Sequence, residues 1–452
     1  MNVAIIEIND SGLYCGNDRG ELIVSPGYAL LTKEGITTGK EAFEHAYLEP
    51  QQSFNQYWRQ LNLSPLPAPN NHARHHADLA YAQLLELHRE SGSPQQIVFA
   101  TPGNFDRDQL SILLGLAKAS PFEALGLVDS AVAAASQSGL SGQLLHMDIQ
   151  LHQCVLTRLN AGSPVGHNDA ERSPIERNYI ERTDVEVISD IGLKTFYDTW
   201  AQHIANMFIR QYRYDPLHTA AGEQQLYDLL PNWLSQMTET SELAIALDSP
   251  QGSYRLNLNR SDLLASSRTR LDQLQKKVRN IRREGETIIA SHRTLLLQGF
   301  SGQLGQINTL PNDAVIQGCL NNLEAIVGNG VAIHFVTRLP SNSVQPQVPA
   351  STSVPTTTSA PVPTPTVTAT PTHVLYQHKA HEIGDGLYIH IDDDQLIFSH
   401  QHTGDTSLTK ENGKVQLHSD RPDLSTSNNR NDLPSGATIH IGAHQLQLIE
   451  VT

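Results

Sequence analysis

Apolar and polar positions along the chain follow two periods, and the period switches repeatedly. Residues 3–8 (VAIIEI) and 12–16 (GLYCG) read as a strand, a turn and a second strand. Residues 77–91 place Leu79, Ala82, Leu84, Leu85 and Leu87 along one helical stripe. IVFATPG (97–103) reads as a buried strand followed by a loop, and Asp106-Arg107-Asp108-Gln109 opens a helix to about Ala119 with acids in its first turn. Residues 192–212 are predicted helical, with Phe196, Trp200, Ile204 and Phe208 on one face. Asp215-Pro216 predicts the start of another helix. Residues 242–247 and 254–259 read as a hairpin pair, and Ser261 is placed to cap a long charged helix over 262–284. TLLLQGF (294–300) reads as one more buried strand. Strands alternating with helices predict an α/β architecture for residues 1–339.

The pattern stops at residue 340. Residues 340–372 carry no charge, no aromatic residue and no helical period, and proline recurs throughout. Such a composition cannot bury a core and predicts an extended tether. From residue 373 onward, short alternating runs (GLYIHI, QLIFSH, KVQLHS, ATIHIG, HQLQLIEV) predict a small all-β sandwich. Asp392-Asp393-Asp394 and Asn412-Gly413 are its turn signals. The expected domains are 1–339, a linker 340–372, and 373–452.

Bulk properties narrow the function classes. The chain has 452 residues, 39% hydrophobic and 17% charged, with a net charge of −16. That charge disfavours nucleic acid or an anionic membrane as the main partner. Three scattered cysteines, Cys15, Cys154 and Cys319, predict neither a disulfide framework nor a zinc site and fit a reducing compartment. No basic n-region opens the sequence and no run of 18 apolar residues occurs, so a cytoplasmic protein without a membrane span is expected. Histidines are dense in 373–452, and His72, His75 and His76 cluster earlier, but strand alternation spreads the former over solvated faces and no metal site is expected. Lys276, Lys277, Arg279, Arg282 and Arg283 read as a solvated helix face.

Residues 144–159 (LLHMDIQLHQCVLTRL) pose the chemical question. Two apolar segments flank a tight turn, and Asp148 ends the first. A carboxylate there suits a metal-bound phosphate, but a hairpin that cradles phosphate needs backbone N–H groups close to the oxygens, which glycine permits. The turn here is Ile149-Gln150-Leu151-His152-Gln153. Non-glycine residues at positive φ would cost about 1 kcal/mol. The side chains of Gln150, Leu151 and His152 are expected to fill the phosphate volume.

In order, these segments resemble the nucleotide-binding domain of the DnaK heat-shock chaperones, within the actin-like ATPase superfamily. IVFATPGNFDRDQLSILLGLAKASPFEALGLVDSAVAAAS is similar to that family's strand, helix and cross-domain unit, and LPNDAVIQGCL to its closing helix. The resemblance implies a two-lobed, ribonuclease H-like fold. Its first phosphate hairpin corresponds to Glu7-Ile8-Asn9-Asp10-Ser11 and its second to Asp148 with Gln150-Leu151-His152. The family's cross-domain glutamate aligns with Ser130, leaving Asp129 as the nearest carboxylate. Glu223 matches on the adenosine helix, where Leu226 replaces a lysine. The third loop becomes Gln298-Gly299-Phe300-Ser301-Gly302, without the family's arginine. Candidate catalytic residues are therefore Glu7, Asp10, Asp129 and Asp148, and candidate cofactor contacts Glu223 and Gly299. ATP and magnesium are the implied cofactors of an active relative. Loss of the glycine loops removes the N–H donors that phosphoryl transfer relies on.

SGATIHIGAHQLQLI and LSTSNN resemble segments of forkhead-associated (FHA) domains, which bind phosphothreonine. Their phosphate-binding positions fall on Asp385 and on His402-Thr403-Gly404-Asp405, where both arginines are missing. The expected function is a pseudo-ATPase scaffold or adaptor with a protein partner. The rivals are an active ATPase using Glu7, Asp10, Asp129 and Asp148, and a filament-forming relative. A chaperone is disfavoured, because the residues after the linker are too few for a peptide-binding domain and a lid.

Overall fold

The computed structural model describes residues 3–162, 178–297, 304, 306–328 and 332–341. From residue 371 to 449 it describes all but short stretches at 377–378, 385, 393–394, 401–405, 412–413, 420–423, 427–431, 434–436 and 442–443. The chain divides into two compact units, Met1–Val348 and Pro349–Thr452.

The first unit is mixed α/β. It opens with β1 (Val3–Glu7), β2 (Gly12–Gly16), β3 (Leu22–Pro26), β4 (Ala29–Leu31), β5 (Ile36–Thr38), α1 (Gly39–Phe43) and β6 (Ser53–Phe54). Next come α2 (His76–Glu90), β7 (Gln96–Thr101), α3 (Arg107–Ala119), β8 (Glu123–Asp129) and α4 (Ser130–Ala135). A second series follows: β9 (Gly142–Ile149), β10 (Cys154–Gly162), β11 (Tyr179–Ile188), α5 (Leu193–Tyr212), α6 (Ala220–Gln236), β12 (Glu242–Ser249), β13 (Gly252–Asn259) and α7 (Arg260–Ile281). The unit closes with β14 (Thr287–Ala290), β15 (Ile307–Thr309), α8 (Ala314–Asn321), α9 (Leu323–Val327), β16 (Phe335–Val336) and β17 (Arg338–Pro340).

Two six-stranded sheets carry the unit, ordered β16-β8-β7-β1-β2-β3 and β15-β14-β9-β10-β11-β17. Their central patterns coincide. In each, three sequential strands form an antiparallel meander (β1-β2-β3 and β9-β10-β11), and the first strand of the meander pairs in parallel with a later strand, β7 or β14. Period-two alternation decides the layering. Val3 and Ile5 point to one side of the first sheet and Ala4 and Ile6 to the other. On the second sheet, Leu144 faces the middle, and Leu145 and Met147 face outward onto α5, α6 and α7. The shared middle layer holds α4 and α8 between the sheets. Their crossing is close: a Cβ on Gly318 would lie 1.9 Å from the Ala133 carbonyl oxygen, so no larger residue fits without moving a backbone.

Several sequence expectations need correction. The strand expected at 294–300 is absent from the described residues there. The strand is Thr287–Ala290, and His292–Leu296 form a 3-10 turn. An apolar run of leucines outscored the shorter TIIA run, whose four residues are fully or partly buried in the centre of the sheet. The long helix starts at Arg260, its N-cap is Asn259 rather than Ser261, and it ends at Ile281 rather than residue 284. Asp215-Pro216 opens only a 3-10 turn, Pro216–His218; α6 begins at Ala220, with the Thr219 hydroxyl accepting from the Gly222 N–H.

The second unit is all-β. Its strands are β18 (His373–Tyr376), β19 (Lys379–Glu382), β20 (Gly386–Asp392), β21 (Gln395–Ser399), β22 (Thr406–Glu411), β23 (Lys414–Ser419), β24 (Leu424–Thr426), β25 (Asp432–Leu433), β26 (Thr438–Ile441) and β27 (His444–Ile449). They form two five-stranded sheets, β19-β18-β27-β26-β24 and β21-β20-β22-β23-β25. One core, including Val374, Leu387, Ile389, Leu408, Ile439 and Leu446, joins them. Asp385 and residues 402–405 lie outside the described residues. No helix among the described residues is long and apolar enough to cross a membrane.

Candidate functional site

The turns after β1 and β9 meet across the middle of the first unit. Each follows a buried strand that ends on or near a carboxylate: Glu7 and Asp10 in the first, Asp148 in the second. All three are buried, with Asp148 the most exposed of them at 7%.

The second turn keeps usable backbone donors without glycine. The Gln150 N–H closes the turn onto the Gln153 carbonyl at 2.8 Å. The N–H groups of Leu151 and His152 point out of the turn, and the Asp10 carboxylate accepts both, at 2.5 and 3.1 Å. No residue from 149 to 153 has a positive φ, so the strain expected for a glycine-free turn is not there. The side chains also depart from expectation. Gln150 donates to Asp148 Oδ2 at 3.0 Å, Leu151 enters the hydrophobic core, and His152 Nε2 meets the Asn55 carbonyl and side-chain oxygens at 3.1 Å. The first residues of α5 hold the turn from behind: Leu193 and Lys194 N–H groups donate to the Gln150 and Leu151 carbonyls. A Cβ on Gly192 would sit 2.5 Å from the turn backbone, which explains the glycine at that helix N-cap.

The residue that organises the site is Arg293, which sequence reasoning missed. It lies in the turn that directly follows β14, and the misplaced strand had moved that turn to 298–302. Its guanidinium is buried, with Nη2 at 2.9 Å from Glu7 Oε1 and Nη1 at 3.1 Å from Asp148 Oδ1. It stacks 4.6 Å from the centre of the Tyr14 ring. Asn9 completes the bridge by donating to Asp148 Oδ2 at 2.8 Å, while its own oxygen accepts from the Ser11 N–H and hydroxyl.

Electrostatics follow from burial and this one cation. Burial pushes the Glu7 carboxyl up, and Arg293 only partly offsets it. Burial would raise Asp148 too, but Arg293, His146 and the Gln150 amide reverse the shift and hold it below the usual carboxylate range. Burial carries Asp10 up to about 7 against the pull of its two N–H donors. His146, His152 and His292 are each pushed down to about 4, mainly by burial. Beside the ion pairs remains a cavity of about 20 Å³, lined by Glu7, His146, Asp148, Ser291 and Arg293. It has room for roughly one water molecule.

Asp129 stands apart. It caps α4, accepting from the Ala131 and Val132 N–H groups at 2.9 and 3.2 Å, and pairs with Arg182 at 2.8 Å. Burial raises its pKa, with Arg182 opposing. Glu223 is half-buried in the first turn of α6, raised by burial with Lys194 opposing. Its neighbour Gln224 does more: it accepts from the Tyr47 N–H at 2.7 Å and donates to the Phe43 carbonyl at 2.8 Å, tying α6 to the segment after α1. There the Tyr47 and Tyr227 rings stack at 4.0 Å and 14°. Gly299 lies outside the described residues. Among the described residues no three His, Cys, Asp or Glu side chains gather as a metal-binding group. No protein-family model and no curated protein matches the chain.

Proposed function

We propose that the first unit is an actin-like, DnaK-related core whose nucleotide cleft is filled by its own side chains. In this reading the protein is a cytoplasmic pseudo-ATPase scaffold or adaptor, and its C-terminal unit is an FHA-like module that holds a protein partner. The repeated central sheet pattern and the two apposed turns support the core assignment. The two five-stranded sheets with one shared core support the module.

One observation carries the loss of nucleotide binding. The N–H pair of the second turn, which would take phosphate oxygens, already carries the Asp10 carboxylate. The gap between Glu7 and Asp148, which would take a hydrated divalent cation, already carries the Arg293 guanidinium. A carboxyl and a guanidinium of the chain thus stand where a phosphate and its metal would stand. On this reading metal-bound ATP does not fit, because Asp10 occupies the turn's N–H donors and Arg293 the space between the carboxylates. The stacked Tyr47–Tyr227 pair and the Gln224 bridge close the same cleft near Glu223. A protein so closed keeps the architecture of a two-state machine while losing the ligand that moves it, which suits a fixed assembly platform.

Calorimetry of the full chain with Mg-ATP tests this. The expected result is no binding heat up to millimolar nucleotide. Saturable micromolar binding removed by Asp148→Ala would establish the rival, an ATPase with unusual loops.

A further inference from the structure

A second concave site lies where the segment joining α5 to α6 and the first turn of α6 face the tip of the β12–β13 hairpin. Its volume is about 850 Å³, within the roughly 300–1,000 Å³ typical of ligand sites. One wall is aromatic: Tyr254 lies 5.0 Å from Tyr214, ring centre to ring centre, and is backed by Tyr212 outside the lining. The other walls bring Asp215 and Asp248 to the same cavity, with Arg213 and His218 also at its lining.

We propose that this cavity receives a lysine or arginine side chain presented by an extended segment of a partner protein. The argument is one of charge and shape. Two carboxylates and one guanidinium line the cavity, so acidic side chains outnumber permanent cations there. Asp215 Oδ1 accepts the Leu217 N–H at 3.0 Å, and among the described residues neither Asp215 nor Asp248 has an ion-pair partner. A phosphate or carboxylate ligand would meet those charges unfavourably, and an apolar one would strip their water without replacing it. A cation on a long aliphatic stem satisfies both walls, its stem on the rings and its head at the carboxylates. The cavity is held in shape before any ligand arrives. The Asp248 N–H donates to Gln225 Oε1 at 3.1 Å, fixing the hairpin tip to α6, and Tyr254 pairs with Leu247 across the hairpin. Burial raises the Tyr214 hydroxyl pKa, with Tyr254, Asp215 and Asp248 adding to the shift, which places both carboxylates within electrostatic reach of that ring.

The test is fluorescence anisotropy of the full chain with three labelled Gly/Ser peptides, differing only in a central lysine, arginine or glutamine. The lysine and arginine peptides are expected to bind, with affinity falling as salt rises, and the glutamine peptide not to bind. Asp248→Asn and Tyr254→Ala should each weaken binding about fivefold or more, and Glu34→Gln, a change at an exposed carboxylate elsewhere, should leave it unchanged. Should Tyr254→Ala fail to fold, Asp248→Asn decides alone. The proposal is overturned if neither basic peptide binds, if the glutamine peptide binds equally, if Asp248→Asn has no effect, or if Glu34→Gln weakens binding as much as Asp248→Asn.

Discussion

The turns after β1 and β9 occupy corresponding places in two sheets that share a central pattern, and they do opposite jobs. The first delivers a carboxylate, Asp10. The second delivers two backbone N–H groups, at Leu151 and His152, and these donate to it. Neither turn alone looks like a closed site, since each keeps the polar groups a ligand would want. The second turn's donors take the first turn's Asp10, and Arg293 bridges the two strand-end carboxylates left over. On the proposed reading, the protein's own side chains take a ligand's places, which pairs Asp10, Glu7 and Asp148 but leaves the buried Arg293 Nε without a partner among the described residues.

The largest effect should come from removing the cation. Arg293→Ala leaves Glu7 and Asp148 buried and facing each other without a counter-charge, and a loss of roughly 3–5 kcal/mol is expected in urea unfolding. Adding Glu7→Gln and Asp148→Asn to that variant should recover much of the loss, because the repulsion disappears with the charges. If Arg293→Ala unfolds like wild type, the guanidinium is not what holds the two turns together.

Next in size is the layer between the sheets. Gly318→Ala drives a methyl into the Ala133 carbonyl and should cost about 1–3 kcal/mol or more, read as a lowered Tm. Gly115→Ala, in α3 with open space around it, should instead stabilise by roughly 0.5–1 kcal/mol. Equal effects at the two positions would mean that the α4–α8 crossing is looser than described.

A smaller effect separates the two turns by pH. Asp10 has a folded pKa raised to about 7, so its contribution to stability is fully present below its ordinary value near 3.8 and is lost as pH rises to 7. His146, His152 and His292, lowered to about 4, act in the other direction: their contribution is present above about 6.5 and lost as pH falls toward 4. Three protons therefore oppose one, and these groups together favour a rise in stability between pH 4 and 6.5. Asp10→Asn removes the opposing proton, so that rise should steepen by about 1.4 kcal/mol per pH unit at most. Unfolding midpoints measured across that range would show parallel wild-type and mutant curves if Asp10 were not buried in the second turn.

Much of this was legible in the sequence, and the misses have physical reasons. Long amphipathic segments such as 192–212 carried enough periodic signal to locate their helix within a residue. Asp148 was visible as a charge at the end of an apolar strand, and Glu7 and Asp10 through the resemblance of residues 7–11 to a phosphate hairpin. Arg293 was not visible: the four-residue strand before it is weaker than the leucine run after it, and the misplaced strand took the turn with it. The role of Asp10 could not be read either, since its partners, the N–H groups of Leu151 and His152, lie 141 and 142 positions away and carry no side-chain signature. The glycine-free turn was correctly singled out but for the wrong cause, because its backbone needs no positive φ.

The most direct measurement is a titration of the full chain with Mg-ATP, followed by heat and by the Tm of the complex. An internally filled cleft predicts no heat and no change in Tm at millimolar nucleotide. A one-to-one micromolar complex that raises Tm and disappears in Asp148→Ala would show that Asp10 and Arg293 yield their places to a real ligand, and the account would fail.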